Sequence, residues 1–268
     1  MKKMLILGIA VAIACAAHAY PTLTGPTGLA TLPTAAVAPA GQFQLAADWF
    51  DTEDTVGDTT IPVRLLYGFG GNFEFGATYI SSELSGFGLN AKWLTPLTLA
   101  GFDWALGAQY VNLTDDFVVG EGDFGPEVLD IDATGTQVYF AGTRVLMDAE
   151  DGIGLTGTIG LNWTKIEADL TLSDDLGEFD SESESEDAIR FYAGLEAAFA
   201  NNLTVAAEIQ SDGLDFLGEE DMLWSVVARY PFTESIAAQV GYTNAITFIG
   251  ADDSNLFAGL TYAWGAAE

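Results

Sequence analysis

Nine charged side chains stand at alternating positions in segments that are otherwise apolar, and they are the residues best placed to do chemistry. Side chains two apart on a β-strand share a face, so each charge is expected opposite its apolar neighbours. A face of this kind could hold paired ions, or a track of arginines that guides anionic solutes through a pore. We favour pairing because acids and bases are similar in number. The nine are Arg64, Glu74, Lys92, Asp103, Arg144, Arg190, Glu196, Glu208 and Arg229.

The residue types on which many enzymes depend are scarce in this chain. Cys15 is the only cysteine and His18 the only histidine, and both fall in a leader that we expect to be removed. Ser-His and Cys-His nucleophile systems and histidine-ligated metal sites are then excluded. We therefore expect no catalytic residue and no cofactor. Divalent cations at the acidic loops are a weak possibility, because hard cations take carboxylate oxygens, and the metal question stays open.

Residues 1–19 have the pattern of a secretory signal peptide. Two lysines precede the apolar run 4–14, and Ala17-His18-Ala19 fits a signal-peptidase site that would leave Tyr20 as the first mature residue. The apolar run is too short to cross a bilayer as a helix. A buried N-terminal helix is one alternative, and lipidation at Cys15 is another.

High charge and high apolar content coexist in this sequence. The chain of 268 residues has 39 Asp plus Glu against 8 Lys plus Arg, a formal net charge of -31, yet 49% of its residues are hydrophobic. The two must be segregated along the chain, and the acids do cluster, with seven in 115–132 and eight in 174–187. A surface this acidic excludes the usual nucleic-acid binder, which needs cations to meet the phosphate backbone.

Period-two alternation of apolar residues recurs along the chain and predicts short, half-apolar strands. No segment after residue 19 is apolar for long enough to form a transmembrane helix. Most of the strands have the length that crosses a bilayer at a tilt. The twelve predicted strands are 42–51, 61–69, 73–79, 87–93, 102–110, 136–146, 155–163, 189–199, 203–210, 224–230, 236–243 and 256–264.

The connections between these strands alternate in length, as they do in bacterial outer-membrane barrels with both termini in the periplasm. The loops predicted on the outer side are longer, apart from 81–85, and they are 52–59, 81–85, 113–135, 167–187, 211–221 and 244–255. The turns predicted on the periplasmic side are short, and they are 70–71, 95–96, 148–151, 201–202 and 231–234.

Aromatic residues concentrate near both ends of the predicted strands. Two aromatic girdles are typical of a barrel that meets two membrane interfaces. Ordinary core aromatics of a soluble β-sandwich are the alternative explanation. The candidate interface aromatics are Trp49, Tyr67, Trp93, Trp104, Trp163, Trp224, Tyr262 and Trp264.

Together these patterns predict an all-β fold, a closed antiparallel transmembrane β-barrel of twelve strands. A soluble secreted β-sandwich is the competing fold. The predicted divisions are a signal peptide over 1–19, a periplasmic or luminal segment over 20–41 and the barrel over 42–268. The expected location is the bacterial outer membrane with both termini periplasmic. The expected partners are membrane lipid, the outer-membrane assembly machinery and small solutes, and not nucleic acid.

Residues 20–41 hold Pro21, Pro26, Pro33 and Pro39 and show no strand periodicity. The segment could enter the lumen as a plug, lie beneath the barrel or remain a flexible periplasmic leader. Its stretch Gly25-Pro26-Thr27-Gly28-Leu29-Ala30-Thr31-Leu32-Pro33-Thr34-Ala35, followed by Gly41, resembles the start of YjbH-type outer-membrane proteins. That family is associated with exopolysaccharide export systems. The resemblance implies an outer-membrane barrel and covers this segment alone.

The last predicted strand, 256–264, resembles the C-terminal signal that the assembly machinery reads. It alternates apolar residues and ends in Trp264, although four further residues follow. The function we expect is a porin-like channel or transport component for small solutes. A closed structural or surface-binding barrel, with a possible link to exopolysaccharide export, is the alternative.

Overall fold

The computed structural model describes residues 20–50, 59–81, 85–122, 125–148, 152–174, 177–211, 222–245 and 255–265. The predicted signal peptide lies outside these ranges, as do parts of the predicted loops and turns. Within them, no helix has the length and apolar character needed to span a membrane.

The described chain forms twelve β-strands. They are β1 (Gln42–Phe50), β2 (Ile61–Phe69), β3 (Phe73–Ser81), β4 (Ser85–Leu99), β5 (Phe102–Gly122), β6 (Gly125–Met147), β7 (Ile153–Asp174), β8 (Gly177–Phe199), β9 (Thr204–Gln210), β10 (Leu223–Pro231), β11 (Ile236–Thr243) and β12 (Asn255–Gly265).

The strands pair antiparallel in chain order, and β1 pairs with β12 to close the cylinder. Nine residue pairs form that seam, from Gln42↔Gly265 to Phe50↔Phe257. Closure gives every strand a neighbour on both sides, which a bilayer requires because lipid offers no hydrogen bonds to an open edge. The predicted closed twelve-stranded antiparallel barrel is confirmed. We call the end where β1 begins and β12 ends the terminal end, and the opposite end the hairpin end.

Alternation along the strands gives the cylinder an apolar outside and a polar inside. Leu65, Leu106 and Leu260 are exposed on the outer surface, whereas Arg64 and Thr261 point inward and are buried. The same inversion of an ordinary soluble protein holds around the ring and is typical of a barrel whose outer surface meets lipid.

Four strands extend far beyond the length needed to cross a bilayer. β5 to β8 contain 21, 23, 22 and 23 residues, and they stay paired to the ends of both hairpins. The sequence interpretation of 113–135 and 167–187 as loops was therefore wrong over the described residues. Strand pairing continues there because the period-two pattern continues, with acids in place of apolar residues.

The polarity of the faces reverses along the extended parts of β6 and β7, whereas the glutamates of β8 lie on its inward face. Along β7 the outward side chains change from the apolar Leu161 and Trp163 to the charged Lys165 and Glu167. The inward side chains change from polar residues to the apolar Ile166 and Leu170. The indole N–H of Trp163 donates to Asp187 Oδ2 (2.9 Å) at the level of the change. An indole with one apolar and one wet side suits a membrane interface, so this level is where we expect the outer interface.

One turn at the terminal end lies elsewhere than the sequence predicted. β4 passes Thr95 and Pro96 with a shift of register between Leu94 and Thr98. The reversal occurs at Ala100 and Gly101, whose φ values are 55° and 77°. Two residues with positive φ form the tight hairpin turn that matches the twist of antiparallel strands. The proline at position 96 marks an irregularity in the strand and not its end.

Candidate functional site

Residues 20–41 fold into the lumen of the barrel, and we call this segment the plug. Tyr20 lies at the terminal end, because it lines a surface pocket together with Gln44 and with residues of the β10–β11 turn. The segment also ends there, since Gly41 N–H donates to the Gly68 carbonyl (2.9 Å). The plug therefore enters and leaves the barrel at one end.

Short-range hydrogen bonds give the plug a shape of its own. The N–H of Leu23 donates to Ala30 O (2.8 Å), and the N–H of Leu29 donates to Leu32 O (2.9 Å). These bonds satisfy only part of the backbone, because prolines and tight turns prevent a regular ladder. The remaining polar groups must be satisfied by the barrel wall.

Glu208 on β9 binds the tip of the plug. Its carboxylate accepts the N–H groups of Ala30 (3.1 Å), Thr31 (2.6 Å) and Leu32 (3.2 Å). The Thr31 hydroxyl donates to the same carboxylate at 2.5 Å. Three successive amides on one carboxylate form a strong, charge-assisted contact in a place that water does not reach.

Glu74 and Lys92 hold the middle of the plug from β3 and β4. Glu74 accepts the N–H of Thr27 and of Ala38, both at 2.8 Å. The Lys92 ammonium donates to Thr27 O (2.7 Å) and to the Thr27 hydroxyl, and it lies 3.6 Å from Glu74 Oε1. All side-chain atoms of this ion pair are buried. The pair thus neutralises its own charge while it binds both donors and acceptors of the plug.

Two arginines hold the first part of the plug through its carbonyl groups. Arg229 donates to Gly28 O (3.2 Å) and to Leu29 O, and Arg64 donates to Thr22 O (2.8 Å). Arg229 also lies 3.6 Å from Glu196 Oε2, and Arg64 forms an ion pair with Asp48. Arg64, Lys92 and Arg229 therefore each pair with an acid of the wall and also bind the plug backbone.

Tyr20 anchors the start of the plug beneath Arg229. The guanidinium carbon lies 5.2 Å from the centre of the Tyr20 ring, which is within the range of a cation–π contact. Burial raises the pKa of Tyr20 to about 12, although the nearby Arg229 charge opposes the shift. The ring therefore stays neutral at any physiological pH.

Apolar contacts complete the fit between plug and wall. Leu23 and Leu29 belong to one buried cluster with Phe50, Val227 and Phe257. A side chain at Gly194 would collide with Leu29 Cδ1, so β8 needs a glycine where the plug passes.

A second contact region surrounds Leu32, which packs against Tyr139 and Tyr192. The Tyr192 hydroxyl donates to Pro33 O (3.1 Å), and the N–H of Ala35 donates to Thr143 Oγ1 (2.9 Å). The wall thus contacts the plug from β1, β2, β3, β4, β6, β8, β9, β10 and β12.

The nine charged candidates do not all reach this site. Arg64, Glu74, Lys92, Glu208 and Arg229 bind the plug directly, and Glu196 reaches it through Arg229, as described above. Arg190 is buried on the lumen face, one layer closer to the hairpin end.

The other two candidates lie near the terminal end of the barrel. Asp103 is exposed on the lumen side, where it accepts a hydrogen bond from the Thr98 hydroxyl (2.9 Å). Arg144 is exposed and lies on the outer face with Phe140, and its guanidinium donates to Ala100 O (3.2 Å). The expectation that Arg144 lines the lumen was wrong, because β6 places residues 139, 141 and 143 inward.

The candidate interface aromatics lie on the outer face of the barrel. Trp49, Trp93, Tyr262 and Trp264 are exposed, and Tyr67, Trp104, Trp163 and Trp224 are partly covered by neighbours. Trp264 stacks on Phe43 across the seam with ring centres 5.5 Å apart, and Trp104 stacks on Phe140 at 4.5 Å.

Sequence reasoning missed Asp48 as a site residue. Besides Arg64, Asp48 accepts a hydrogen bond from Gln239 Nε2 (2.6 Å), and Gln239 in turn accepts one from Arg229 Nε (3.1 Å). This network joins the two plug-binding arginines. The signal was present, because alternation in 42–51 sets Asp48 opposite Trp49 and hence inward.

No protein-family model and no curated protein matches the chain. Among solved structures, it is similar to the KdgM porin in complex with disordered oligogalacturonate, with a TM-score of 0.50 at 10% identity over 83% of this chain and 99% of that one. The translocator domain of the autotransporter NalP from Neisseria meningitidis gives a TM-score of 0.49 at 13% identity, over 84% and 87%. The P. putida toluene transporter TodX gives 0.44 at 14% identity, over 91% and 95%. The chain has the fold of outer-membrane β-barrels.

Proposed function

We propose that this protein is a porin-like transport barrel of a bacterial outer membrane, closed at rest by its own plug. The observation that carries the proposal is a polar lumen filled by a segment that is held through hydrogen bonds to charged side chains of the wall. Contacts of this kind can be exchanged for water, so the plug can leave and return. Its departure would open a path through the cylinder.

The proposed orientation places the terminal end in the periplasm. The described turns at that end are short, as between Phe69 and Phe73 or between Leu99 and Phe102, whereas the long hairpins lie at the other end. Short periplasmic turns and long outer loops are the rule for bacterial barrels. The apolar outer face would meet membrane lipid, and the last strand would present the signal for the assembly machinery. We assign the lumen charges to plug binding and not to catalysis.

A reversible lock tests whether the plug gates the barrel. We would replace Leu29 and Gly194 by cysteine, since the Leu29 side chain reaches the Gly194 position and a disulfide needs Cβ atoms about 3.5–4.5 Å apart. In planar bilayers the reduced Leu29→Cys/Gly194→Cys protein should carry current whenever the plug leaves the lumen, and oxidation should abolish the current. Reduction should restore it. Equal currents in both states would show that the plug does not gate the pore.

A closed structural or surface-binding barrel is the second candidate function. The complete burial of the Lys92–Glu74 pair beneath the plug favours it, because expelling the plug exposes charges that are now satisfied. The resemblance of 25–35 to YjbH-type proteins would connect such a barrel to exopolysaccharide export. If the reduced protein conducts no current at any voltage or in any salt, this function is favoured over transport.

A further inference from the structure

A set of amide side chains lines the lumen wall toward the hairpin end, next to the residues that contact the plug, and Asn90 itself lies against Gly25 of the plug. We call it the amide belt. Asn90 pairs with Gln109 and Gln109 with Gln137 on neighbouring strands. Asn162 continues the layer on β7 and Gln210 on β9. The five members of the belt are Asn90, Gln109, Gln137, Asn162 and Gln210.

On most strands, a member of the belt lies next to a plug-contacting residue on the same face. On several strands, a belt residue lies two positions closer to the hairpin end than a residue that contacts the plug, so the two share a face in successive layers. Arg190 holds the equivalent position on β8. The successive pairs are Asn90 above Lys92, Gln137 above Tyr139, Arg190 above Tyr192 and Gln210 above Glu208.

Most members of the belt are buried with one side-chain atom that has no hydrogen-bond partner. Asn90, Gln109, Asn162 and Gln210 are 7%, 4%, 0% and 4% exposed. Within the described ranges, Asn90 Oδ1 and Gln109 Oε1 accept no hydrogen bond, and Asn162 Nδ2 and Gln210 Nε2 donate none. Gln137 does have a partner, since it donates to the Thr164 hydroxyl (3.2 Å). Buried polar atoms without partners are costly and rare, and they indicate that another molecule supplies the bonds.

Part of the lumen face farther toward the hairpin end is apolar. Ile80, Val111 and Leu113 form one buried cluster there, and Ile166 packs against Ala188. The same face also carries polar groups, because Thr164 lies between Asn162 and Ile166 and Glu186 pairs with Ile166. Along the apolar part, desolvation is far more costly for an ion than for a neutral polar group.

We propose that the amide belt is the specificity-determining site for neutral solutes with several hydroxyl groups. A hydroxyl both donates and accepts, which matches free acceptors on β4 and β5 and free donors on β7 and β9. Amides carry no net charge and cannot neutralise the charge of an ion. Arg190 does carry a charge, but it already interacts with other groups of the protein. This inference rests on the proposed transport function and names the class of solute that the barrel takes.

Three solutes of equal carbon skeleton test the proposal: sorbitol, gluconate and glucamine, which are neutral, anionic and cationic. Uptake into liposomes would be measured with the full-length Leu29→Cys/Gly194→Cys protein, oxidised and reduced. We expect reduction to admit sorbitol about fivefold faster than either ion, the effect of roughly one net hydrogen bond. Uptake of all three at one rate would overturn the belt and leave the transport function standing. No uptake of any of them in the reduced state would overturn both.

A belt variant then ties this preference to the amides. Asn162→Leu/Gln210→Met keeps side-chain size and removes the two free donors, and it should reduce sorbitol uptake about fivefold while the two ions change little. The control is Gln44→Met, a buried amide of β1 near the terminal end that lies outside the belt. An unchanged sorbitol preference in the folded belt variant would overturn the inference, as would an equal loss in the control.

Discussion

At the scale of single residues, the lumen charges act mainly on backbone. A proline-rich segment inside a barrel leaves N–H and C=O groups that neither a regular ladder nor water satisfies. Glutamates meet the N–H groups, and arginines and a lysine meet the carbonyls. The two signs are needed together, because the plug presents both N–H donors and carbonyl acceptors. An arginine track for anionic solutes would not require the acids.

Glu208→Gln should loosen the plug and leave the barrel folded. A glutamine can accept at one atom only, so one of the N–H groups of residues 30–32 would face another donor. We expect a cost on the order of 1–3 kcal/mol to plug binding and a higher open probability in planar bilayers. Glu196→Gln is the control, because Glu196 is partly exposed and reaches the plug only through Arg229. Equal open probabilities for the two variants would contradict the central place of Glu208.

At the scale of elements, the reversal of polarity along β6 and β7 marks where the surroundings change. Below it, an apolar outer face meets lipid and a polar inner face meets the plug. Above it, the outer faces of β6 and β7 are acidic, and Ile131 and Leu170 pair across their inner faces. A sheet in water buries its apolar face on one side, as an ordinary antiparallel sheet does. The same strands thus cross the lipid and continue into water.

A charge placed on the outer face should be costly below the reversal and harmless above it. Leu106 lies mid-strand on the outer face beside Trp93 and Phe140, so Leu106→Arg should destabilise the barrel by roughly 2–4 kcal/mol. Thr134 lies on the outer face of the extended part, paired with Asn112 and Glu167, and Thr134→Arg should change stability little. Urea titration of folding into lipid vesicles measures both. Similar losses at the two sites would disprove the assigned interface.

Alternation predicted the strands well where one face is apolar. The twelve predicted segments overlap the twelve observed ones, and β2 agrees at both ends. The extended parts of β5 to β8 were not predicted because they are rich in acids, on the outer face of β6 and β7 and on the inner face of β8, and such acids in a chain this charged suggest a loop. Arg144 was misplaced for a related reason, since apolar neighbours on both sides of it concealed the parity of β6. Pro96 was read as a turn because a proline usually ends a strand.

At the scale of the whole molecule, the barrel is one cooperative ring closed by the β1–β12 seam. Closed barrels resist detergent until heated, because all backbone hydrogen bonds must open together. Unheated protein should therefore migrate differently from boiled protein on detergent gels, and oxidation of the Leu29→Cys/Gly194→Cys lock should leave that difference in place. Identical migration with and without boiling would contradict a closed cylinder.

The position of the plug could not be derived from the sequence. Its contacts join residues far apart in the chain, such as Thr31 with Glu208, and no local pattern encodes such a pair. The sequence did show which side chains face inward, and it showed a non-periodic segment before β1. The sequence did not show the shape of the lumen, which brings Gly194 against Leu29 and aligns Glu208 with three amides.

The plug remains covalently joined to β1 at Gly41, and it enters and exits at the same mouth. It is a tucked loop and not a threaded chain, so nothing has to be unthreaded when it moves. A displaced plug on a tether of this length would meet its binding surface in the lumen at an effective concentration on the order of millimolar. Reclosure is therefore first-order and independent of how many copies the membrane holds. Each barrel carries its own tethered plug, and a solute or partner that holds the barrel open must compete with the plug at this effective concentration.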